Sequence, residues 1–531
     1  MAVTLFEAIW AQVRHNLTLT DVAFAMLLLF FTRVAIQRLT TKGPMLWPIL
    51  GIIPTFFVHR DNAYDWVADS TARCGGTFPY RGMWLGRSNG IVTADPAIVE
   101  HILKTRFANF PKGRYYQERF ADFLGEGIFN ADGRLWREQR RAATAEMHSA
   151  RFTSYSAGTV TDLLRRKLLP LLDELSAAAA AADLQNILLR FTFDNICTAA
   201  FGVDPGCLGT RELPDVPFAR AFEEATELSL FRFIVPPFIW KPMRLLNVGT
   251  ERRLKTAIQT VHAFAEKTVS DRRTELQKLG SLDERSDLLS RLMNADSTSV
   301  SFSDKLLKDF CISLILAGRD TSSVALVWFF WLLHRHPHVE TRIVDEITRI
   351  NGVLIFYNQH RYCCDSDDIV FTVDEVKKME YLHAALSESL RLYPSVPIDF
   401  KEAAEDDMLP GGTAVRKGWR VIYSMYSMGR AEAVWGRDCR EFRPERWMSA
   451  SAEEGGLFVG ESPFKYAVFN AGPRLCVGKR FAYVQMKMVA AAVLRRYRVV
   501  VAEGQVVAPK LTTTLYMRNG LTVTFKRREI Y

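Results

Sequence analysis

The stretch FNAGPRLCVGKR, Phe469–Arg480, sets one cysteine between two glycines and ahead of a basic, helix-like run. Gly472 and Gly478 allow backbone angles and close approaches that a Cβ resists, which suits a tight loop pressed against a flat ligand. The residues after Cys476 start a helix, and the free N–H groups at a helix start favour a thiolate at the sulfur. No other cysteine is in reach, so structural zinc and iron–sulfur clusters are excluded, while a single axial bond to a haem iron is permitted. In that arrangement Arg474 is placed to pair with a propionate and Phe469 to cover the sulfur side. Taken by itself, the cysteine also fits a buried structural residue in a glycine turn.

The 531 residues are 48% hydrophobic and 12% aromatic, enough for a large core with a cavity inside it. No Gly/Ser or Pro-rich linker separates folding units after residue 54, so one large domain is expected behind a short N-terminal segment. The net charge of +9 favours anionic lipid or acidic proteins, or is simply a solvated surface. Nucleic acid is not an expected partner: zinc-finger spacing, an RNA-binding aromatic signature and a long basic block are all missing. The eight cysteines form no CxxC pairs, which favours a reducing, cytosol-facing compartment. His360 with Cys363 and Cys364 lacks a fourth ligand and paired spacing for zinc.

Near the N-terminus runs LTLTDVAFAMLLLFFTRVAI, Leu17–Ile36. Its uninterrupted core, Val22–Thr32, is shorter than the ~18 residues of a clean span, so a signal peptide and a buried helix compete with an anchor. Arg33, Arg38 and Lys42 follow the core where a small-residue cleavage site would stand, which favours a retained anchor. Arg33 can snorkel to the headgroups and Asp21 can sit at the other interface. The basic side is the C-terminal side, so the body is expected to face the cytosol. GPMLWPILGIIP, Gly43–Pro54, reads as a stiff proline-rich connector. The expected division is therefore 1–42 for anchor and flanks, 43–54 for the connector and 55–531 for the main domain.

Residues 63–130 carry short, Gly-punctuated alternating runs such as TFPYRGMWLG and GIVTA, which predict a small sheet with a few helices. From Gly133 to about Ile350 the pattern is helical, culminating in KLLKDFCISLILAGRDTSSVALVWFFWLLHRH. After Pro394 come short strands and turns, the cysteine loop, a helix over Val477–Leu494 and a closing hairpin near TTTLYMRNGLTVTF. The expected class is mostly α with small β-sheets, α+β.

The pattern FxxGxRxCxG, matched by Phe469, Gly472, Arg474, Cys476 and Gly478, resembles the haem-binding loop of the cytochrome P-450 family. AGRDTS, Ala317–Ser322, resembles that family's oxygen-activation motif; ESLR, Glu388–Arg391, resembles its ExxR pair; FRPERW, Phe442–Trp447, resembles the segment closing on that pair; and WREQR, Trp136–Arg140, matches its WxxxR motif. The resemblance covers essentially everything from Pro44 onward. It implies the P-450 fold and haem b, with Cys476 as the iron's axial ligand. It also implies Glu388, Arg391 and Arg446 as a buried network holding the haem loop, and Trp136 with Arg140 at a propionate. Lys401, four residues after Pro397, is the expected partner of the other propionate.

In AGRDTS, Gly318 weakens the helix locally, and Thr321 can turn its hydroxyl inward. Beside Asp320 it forms an acid–alcohol pair able to relay protons, with a surface Arg-Asp followed by filler as the plain alternative. The sequence carries no GxGxxG and no Walker loop, and Gly125-Glu-Gly127 with Asn130 is only a near miss, so electrons must arrive from outside. Arg137, Arg141, Lys479 and Arg480 suit an acidic flavoprotein, NADPH-cytochrome P-450 reductase by the resemblance, or are a solvated face.

Longer stretches, among them FPYRGMWLG, NFPKGRYYQERF and LSESLRLYPSVPIDFKEA, are similar to the plant fatty-acid ω-hydroxylase group of the family. The similarity implies NADPH- and O2-dependent hydroxylation of the terminal methyl of long or very long chains, for polyesters such as suberin or cutin, at the endoplasmic reticulum membrane. Phe123, Phe129, Phe310, Leu314, Ala317, Val396 and Leu515 lie where the family's pocket lining falls, and as core residues they would look the same. The segment NGVLIFYNQHRYCCDSDDIV, between Ile350 and Phe371, departs from the group with an apolar VLIFY core. A reductase-independent haem-thiolate isomerase or dehydratase and a haem sensor are the readings from other classes.

Overall fold

A mostly apolar helix must be covered nearly all round, and Leu307–Leu333 is mostly apolar, broken chiefly by Lys308, Asp309 and the stretch Arg319–Ser323. In the computed structural model, which describes residues 18–83, 88–209, 213–294, 302–357, 370–449 and 456–528, it forms the middle of a 32-residue central helix, Asp304–Arg335. Ser303 starts the helix by accepting the N–H of Leu306 at 3.2 Å, and the chain leaves it at His336, just before Pro337.

The two halves of the central helix enter different apolar clusters. Leu307 to Ile315 pack with the helices Pro217–Ile234 and Gly249–Leu279, while Val324 to Leu333 pack with Glu380–Leu392 and Lys479–Arg496. The helix Leu184–Phe201 lies along both halves, and its Thr192 hydroxyl donates to the Arg319 carbonyl at 2.7 Å. At the junction a Cβ on Gly318 would stand 2.5 Å from Ile196 Cγ1, so this glycine is required by the closeness of two helices.

A four-stranded sheet runs in the order Thr77–Arg81, Asn89–Thr93, Arg420–Ser424, Ile398–Glu402, with the middle pair parallel. A second sheet joins Ala182–Asp183, Thr522–Arg527 and Tyr497–Val501, and a two-stranded ribbon pairs Asp407–Leu409 with Thr413–Val415. The expected closing hairpin does not form. Leu515 is wholly buried, its N–H donates to the Ser395 carbonyl at 2.9 Å, and its carbonyl accepts the Trp328 indole N–H at 2.6 Å. The arm before the turn bridges backwards instead, Met517 to Pro509, and Thr522–Arg527 pairs with Tyr497–Val501.

The first described helix, Leu19–Thr40, is closed by a capping box between Thr18 and Asp21 and buries none of its residues. Its 22 residues are long and apolar enough to cross a membrane. The proline-rich segment after it is no free spacer: Trp47 and Gly51 pair with each other, and Arg81 Nη2 donates to the carbonyls of Trp47 and Pro48 at 3.0 and 2.8 Å. The helix Pro337–Tyr357 continues through Asn351–Tyr357, while His360, Cys363 and Cys364 lie outside the described residues.

Beneath the cysteine loop, Arg391 binds both oxygens of Glu388, at 2.7 and 2.8 Å, and both side chains are fully buried. Arg391 also donates to the carbonyls of Gly429, Cys439 and Glu441. Glu388 accepts the N–H of Arg443 at 3.0 Å, Arg446 Nε at 3.4 Å and the Trp447 indole at 2.9 Å. The Trp447 ring meets Tyr466 at 4.7 Å, and the Tyr466 hydroxyl returns to the Ser387 carbonyl at 3.0 Å. The start of the cysteine loop is thereby fastened to the ESLR helix.

Glu388→Ala strands the Arg391 charge in the core, and we expect a loss of about 3–5 kcal/mol, read as a lowered urea midpoint of the full chain in detergent; a change below about 1 kcal/mol contradicts the network's role. His383 supplies a pH test. Its ring lies 4.2 Å from both Tyr483 and Phe458, and burial, with the charges of Lys487 and Lys479, pushes its imidazole down to about 3. Since the folded chain then takes this proton less readily than the unfolded one, His383 should cost stability increasingly as pH falls below about 6.5, levelling off near 3. His383→Phe is expected to flatten acid unfolding across that window; an unchanged pH profile contradicts the assignment.

Candidate active site

Between the two apolar clusters the central helix is open on one side. Leu316, Ala317, Gly318 and Thr321 are half-buried, and Leu314, one turn before Ala317, keeps 9% exposure, in a helix whose flanking turns are sealed. Positions i, i+3 and i+7 share a helix face, so Leu314, Ala317 and Thr321 form one stripe, while Gly318 meets Ile196.

Cys476 is the exposed member of the six described cysteines, of which four are buried and Cys74 is intermediate. Burial nevertheless pushes its thiol up, opposed by a hydrogen bond from the Gly478 N–H and by the charges of Arg140 and Lys479. A sulfur that is open and yet desolvated lies on an inner wall of the fold. The Cys476 N–H donates to the Phe469 carbonyl at 2.8 Å, closing the loop. Gly472 has φ +60°, and a Cβ there would strike the Leu103 carbonyl, so its close approach is to protein. Gly478 differs from expectation: its φ of −83° is open to any residue, and a Cβ would make only ordinary contact with Met147 and the Cys476 sulfur. The Phe469 ring lies 5.2 Å from Tyr483.

Arg474 stacks over Trp136 at 4.4 Å and donates to Asp132 Oδ1 at 2.5 Å and the Ala131 carbonyl at 3.2 Å. Its Nε is buried without an acceptor. Arg140 is half-buried and forms no ion pair among the described residues. Burial lowers its proton affinity, the Cys476 thiol raises it and Arg474 lowers it, which puts Arg140 beside both. An unpaired guanidinium, an orphaned guanidinium nitrogen and a lone exposed thiol are the donor set that a haem with two propionates would satisfy, so the residues present fit that group.

Lys401 does not join them. Its ammonium is wholly buried and its donors go to Asp399 Oδ2 at 2.7 Å, the Phe400 carbonyl at 3.2 Å and the Tyr423 hydroxyl at 3.1 Å. Burial pushes it down to about 7, with Asp399 opposing. A second cation, Lys112, is also buried, 3.2 Å from Asp399 Oδ1 and 4.3 Å above the Tyr116 ring. Lys112, Asp132, Asp399 and Tyr423 escaped sequence reasoning, although NFPKGR held the signal, a lysine fixed between proline and glycine.

Asp320 and Thr321 are adjacent in sequence but engaged apart. Thr321 Oγ1 donates to the Ala317 carbonyl at 2.6 Å, and Asp320 Oδ1 accepts from Arg319 Nη1 at 3.0 Å. Both members of Arg319-Asp320 are buried, which excludes the surface reading. Burial raises the Asp320 carboxyl against the pull of Arg319. Of the expected pocket residues, Ala317, Phe129 and Val396 are half-buried and Leu314 keeps 9% exposure, whereas Phe123, Phe310 and Leu515 are sealed by protein neighbours and serve as core. Gly125 and Gly127 press on Asp309 and Ser313 of the central helix, which accounts for the glycine pair without a nucleotide. Arg137, Arg141, Lys479 and Arg480 are all exposed.

The family profile described as Cytochrome P450 matches residues 41–526. Cytochrome P450 86B1 of Arabidopsis thaliana is 49% identical over 97% of this chain and 92% of its own length. Cytochrome P450 94A2 of Vicia sativa is 42% identical over 92% of both chains, and Alkane hydroxylase MAH1 of Arabidopsis thaliana is 35% identical over 94% of this chain and 97% of its own. With an open thiol beside an unpaired arginine and relatives aligned along nearly their whole lengths, the chain belongs to the cytochrome P450 family of haem-thiolate monooxygenases.

Proposed function

We propose that the chain hydroxylates the terminal carbon of long or very long chain fatty acids, using O2 and electrons from NADPH. The observation that carries this reading is the stripe of Leu314, Ala317 and Thr321, whose apolar part suits an alkyl chain and whose one hydroxyl lies at its end. Each CH2 withdrawn from water on such a wall contributes about 0.8 kcal/mol. The relative named Alkane hydroxylase MAH1 points to the same kind of substrate. The acid's chemistry places the product among the monomers of lipid polyesters such as suberin or cutin.

Cys476 would hold haem through its thiolate, and Arg140 and Arg474, the latter levelled by Trp136, would take the propionates. Haem bound there supplies oxygen activation at a thiolate-ligated iron. Thr321 holds a transferable proton at Oγ1, and Asp320 holds the carboxyl that can replenish it. For the two to work together Thr321 must release the Ala317 carbonyl, and Asp320 must loosen from Arg319. Water is kept out by the sealed turns of the central helix on either side.

The helix Leu19–Thr40 would anchor the chain in the endoplasmic reticulum membrane, with the body in the cytosol because Arg33, Arg38 and Lys42 follow the apolar core. Arg137, Arg141, Lys479 and Arg480 would receive an acidic NADPH-cytochrome P-450 reductase.

Two substitutions test the assignments. Cys476→Ala should lose the thiolate-type carbon monoxide difference spectrum while keeping its helical circular dichroism; an unchanged spectrum removes Cys476 as the ligand. Thr321→Ala should keep the spectrum but lower product formation by roughly 10²-fold, with hydrogen peroxide released in place of product; undiminished product per NADPH contradicts the proton role.

A further inference from the structure

Resting on the fatty-acid reading and on the proton roles given to Asp320 and Thr321, we infer that Tyr516 is a positioning residue of the same path, and that protons enter from solvent at Glu223 and reach Asp320 through the Tyr516 hydroxyl. Asp320 uses only half of its carboxyl: Oδ1 accepts from Arg319 Nη1 at 3.0 Å, while Oδ2 is buried without a hydrogen-bond partner among the described residues. The Tyr516 hydroxyl and Arg319 Nε are buried and orphaned in the same way. The hydroxyl stands beside the carboxyl, close enough for each to shift the other's proton affinity, and the oxygen open to it is Oδ2. A buried hydroxyl without a partner costs stability, and a phenylalanine would fill the same space without that cost. The hydroxyl therefore calls for a role beyond packing.

The backbone fixes where that hydroxyl stands. Next to it, Leu515 donates its N–H to the Ser395 carbonyl at 2.9 Å, and the Ser395 hydroxyl donates to the Thr321 carbonyl at 2.7 Å. One serine thus ties the Tyr516 segment to the turn of the central helix that carries Asp320 and Thr321. The Tyr516 carbonyl accepts the Lys510 N–H at 2.7 Å, and the Lys510 ammonium pairs with Glu227, one turn beyond Glu223 on the helix Pro217–Ile234.

Glu223 supplies the outer end. Its side chain is 46% exposed and its Oε2 lies 3.8 Å from Arg319 Nη2, so one group meets solvent and the buried cluster at once. Its charge is felt at both Arg319 and Tyr516. Burial and the Asp320 carboxylate hold the Tyr516 proton firmly, so Tyr516 stays a neutral hydroxyl with a proton to donate. That donor gives Asp320 a second partner as it loosens from Arg319. When Thr321 has given up the proton on Oγ1 and takes one from Asp320, Tyr516 passes its own proton to the carboxylate and takes another from water arriving past Glu223. Each O–H bond that breaks is matched by one that forms, and no electron is transferred.

The test uses the full-length holoenzyme in nanodiscs with a reductase and NADPH, given hexadecanoic acid in H2O and in D2O, comparing wild type with Tyr516→Phe, Glu223→Gln and Asp320→Asn. Tyr516→Phe should keep the carbon monoxide difference spectrum and the acid's spectral Kd. Its product per NADPH should fall at least about fivefold, with hydrogen peroxide released instead, and its solvent isotope effect on turnover should rise about twofold or more, which a role in packing alone would not cause. Glu223→Gln, at the surface, should raise the isotope effect in the same direction, and it decides the matter if Tyr516→Phe fails to fold. Coupling and isotope effect unchanged in Tyr516→Phe, or an isotope effect unchanged in Glu223→Gln, overturn the inlet while Asp320→Asn still uncouples. If Asp320→Asn couples as well as wild type, the proton role of Asp320 falls; if wild type makes no product from the acid, the fatty-acid reading falls; either result takes the inlet with it.

Discussion

The buried pair of Glu388 and Arg391 is the interaction on which the rest of the site depends. A carboxylate without exposure is tolerable only when every lone pair is met, and here a guanidinium, an indole, a backbone N–H and a second guanidinium meet them. These partners come from the ESLR helix and from the FRPERW segment, and Trp447 passes the constraint on through Tyr466 to the loop that carries Cys476. Removing the ion pair would therefore disturb the sulfur's position without touching the sulfur.

The second constraint is the junction in the central helix. Sealed apolar clusters on either side leave one short stripe open, and Gly318 lets the neighbouring helix come close at that level. Charge follows the same division. Arg391 and Arg446 are neutralised by close carboxylates, whereas Arg140 forms no ion pair among the described residues. In a low-dielectric interior an uncompensated cation favours an anion, and Arg140 is one that a haem propionate would satisfy.

Local patterns were legible in the sequence. The spacing of Glu388 and Arg391, the helix after Cys476 and the long central helix all depend on residues a few positions apart. What escaped depends on pairing across the fold. Lys401 was expected at a propionate, but the sheet register sets Asp399 opposite Tyr423 and gathers the lysine into that pair. Gly472, whose place beside the cysteine suggests a ligand contact, presses on Leu103 instead, while Gly318 answers to Ile196. The hairpin failed because Leu515 spends its backbone on Trp328 and Ser395, far away in the chain. Asp320 and Thr321 were visible as neighbours, but their separate partners were not.

The most direct test of the account is the site of oxygen insertion. Full-length protein with a reductase, NADPH and 18O2 would be given hexadecanoic and tetracosanoic acids, and the products fragmented by mass spectrometry. The account predicts one labelled oxygen on the terminal carbon; label on in-chain carbons, or turnover without label, would contradict it.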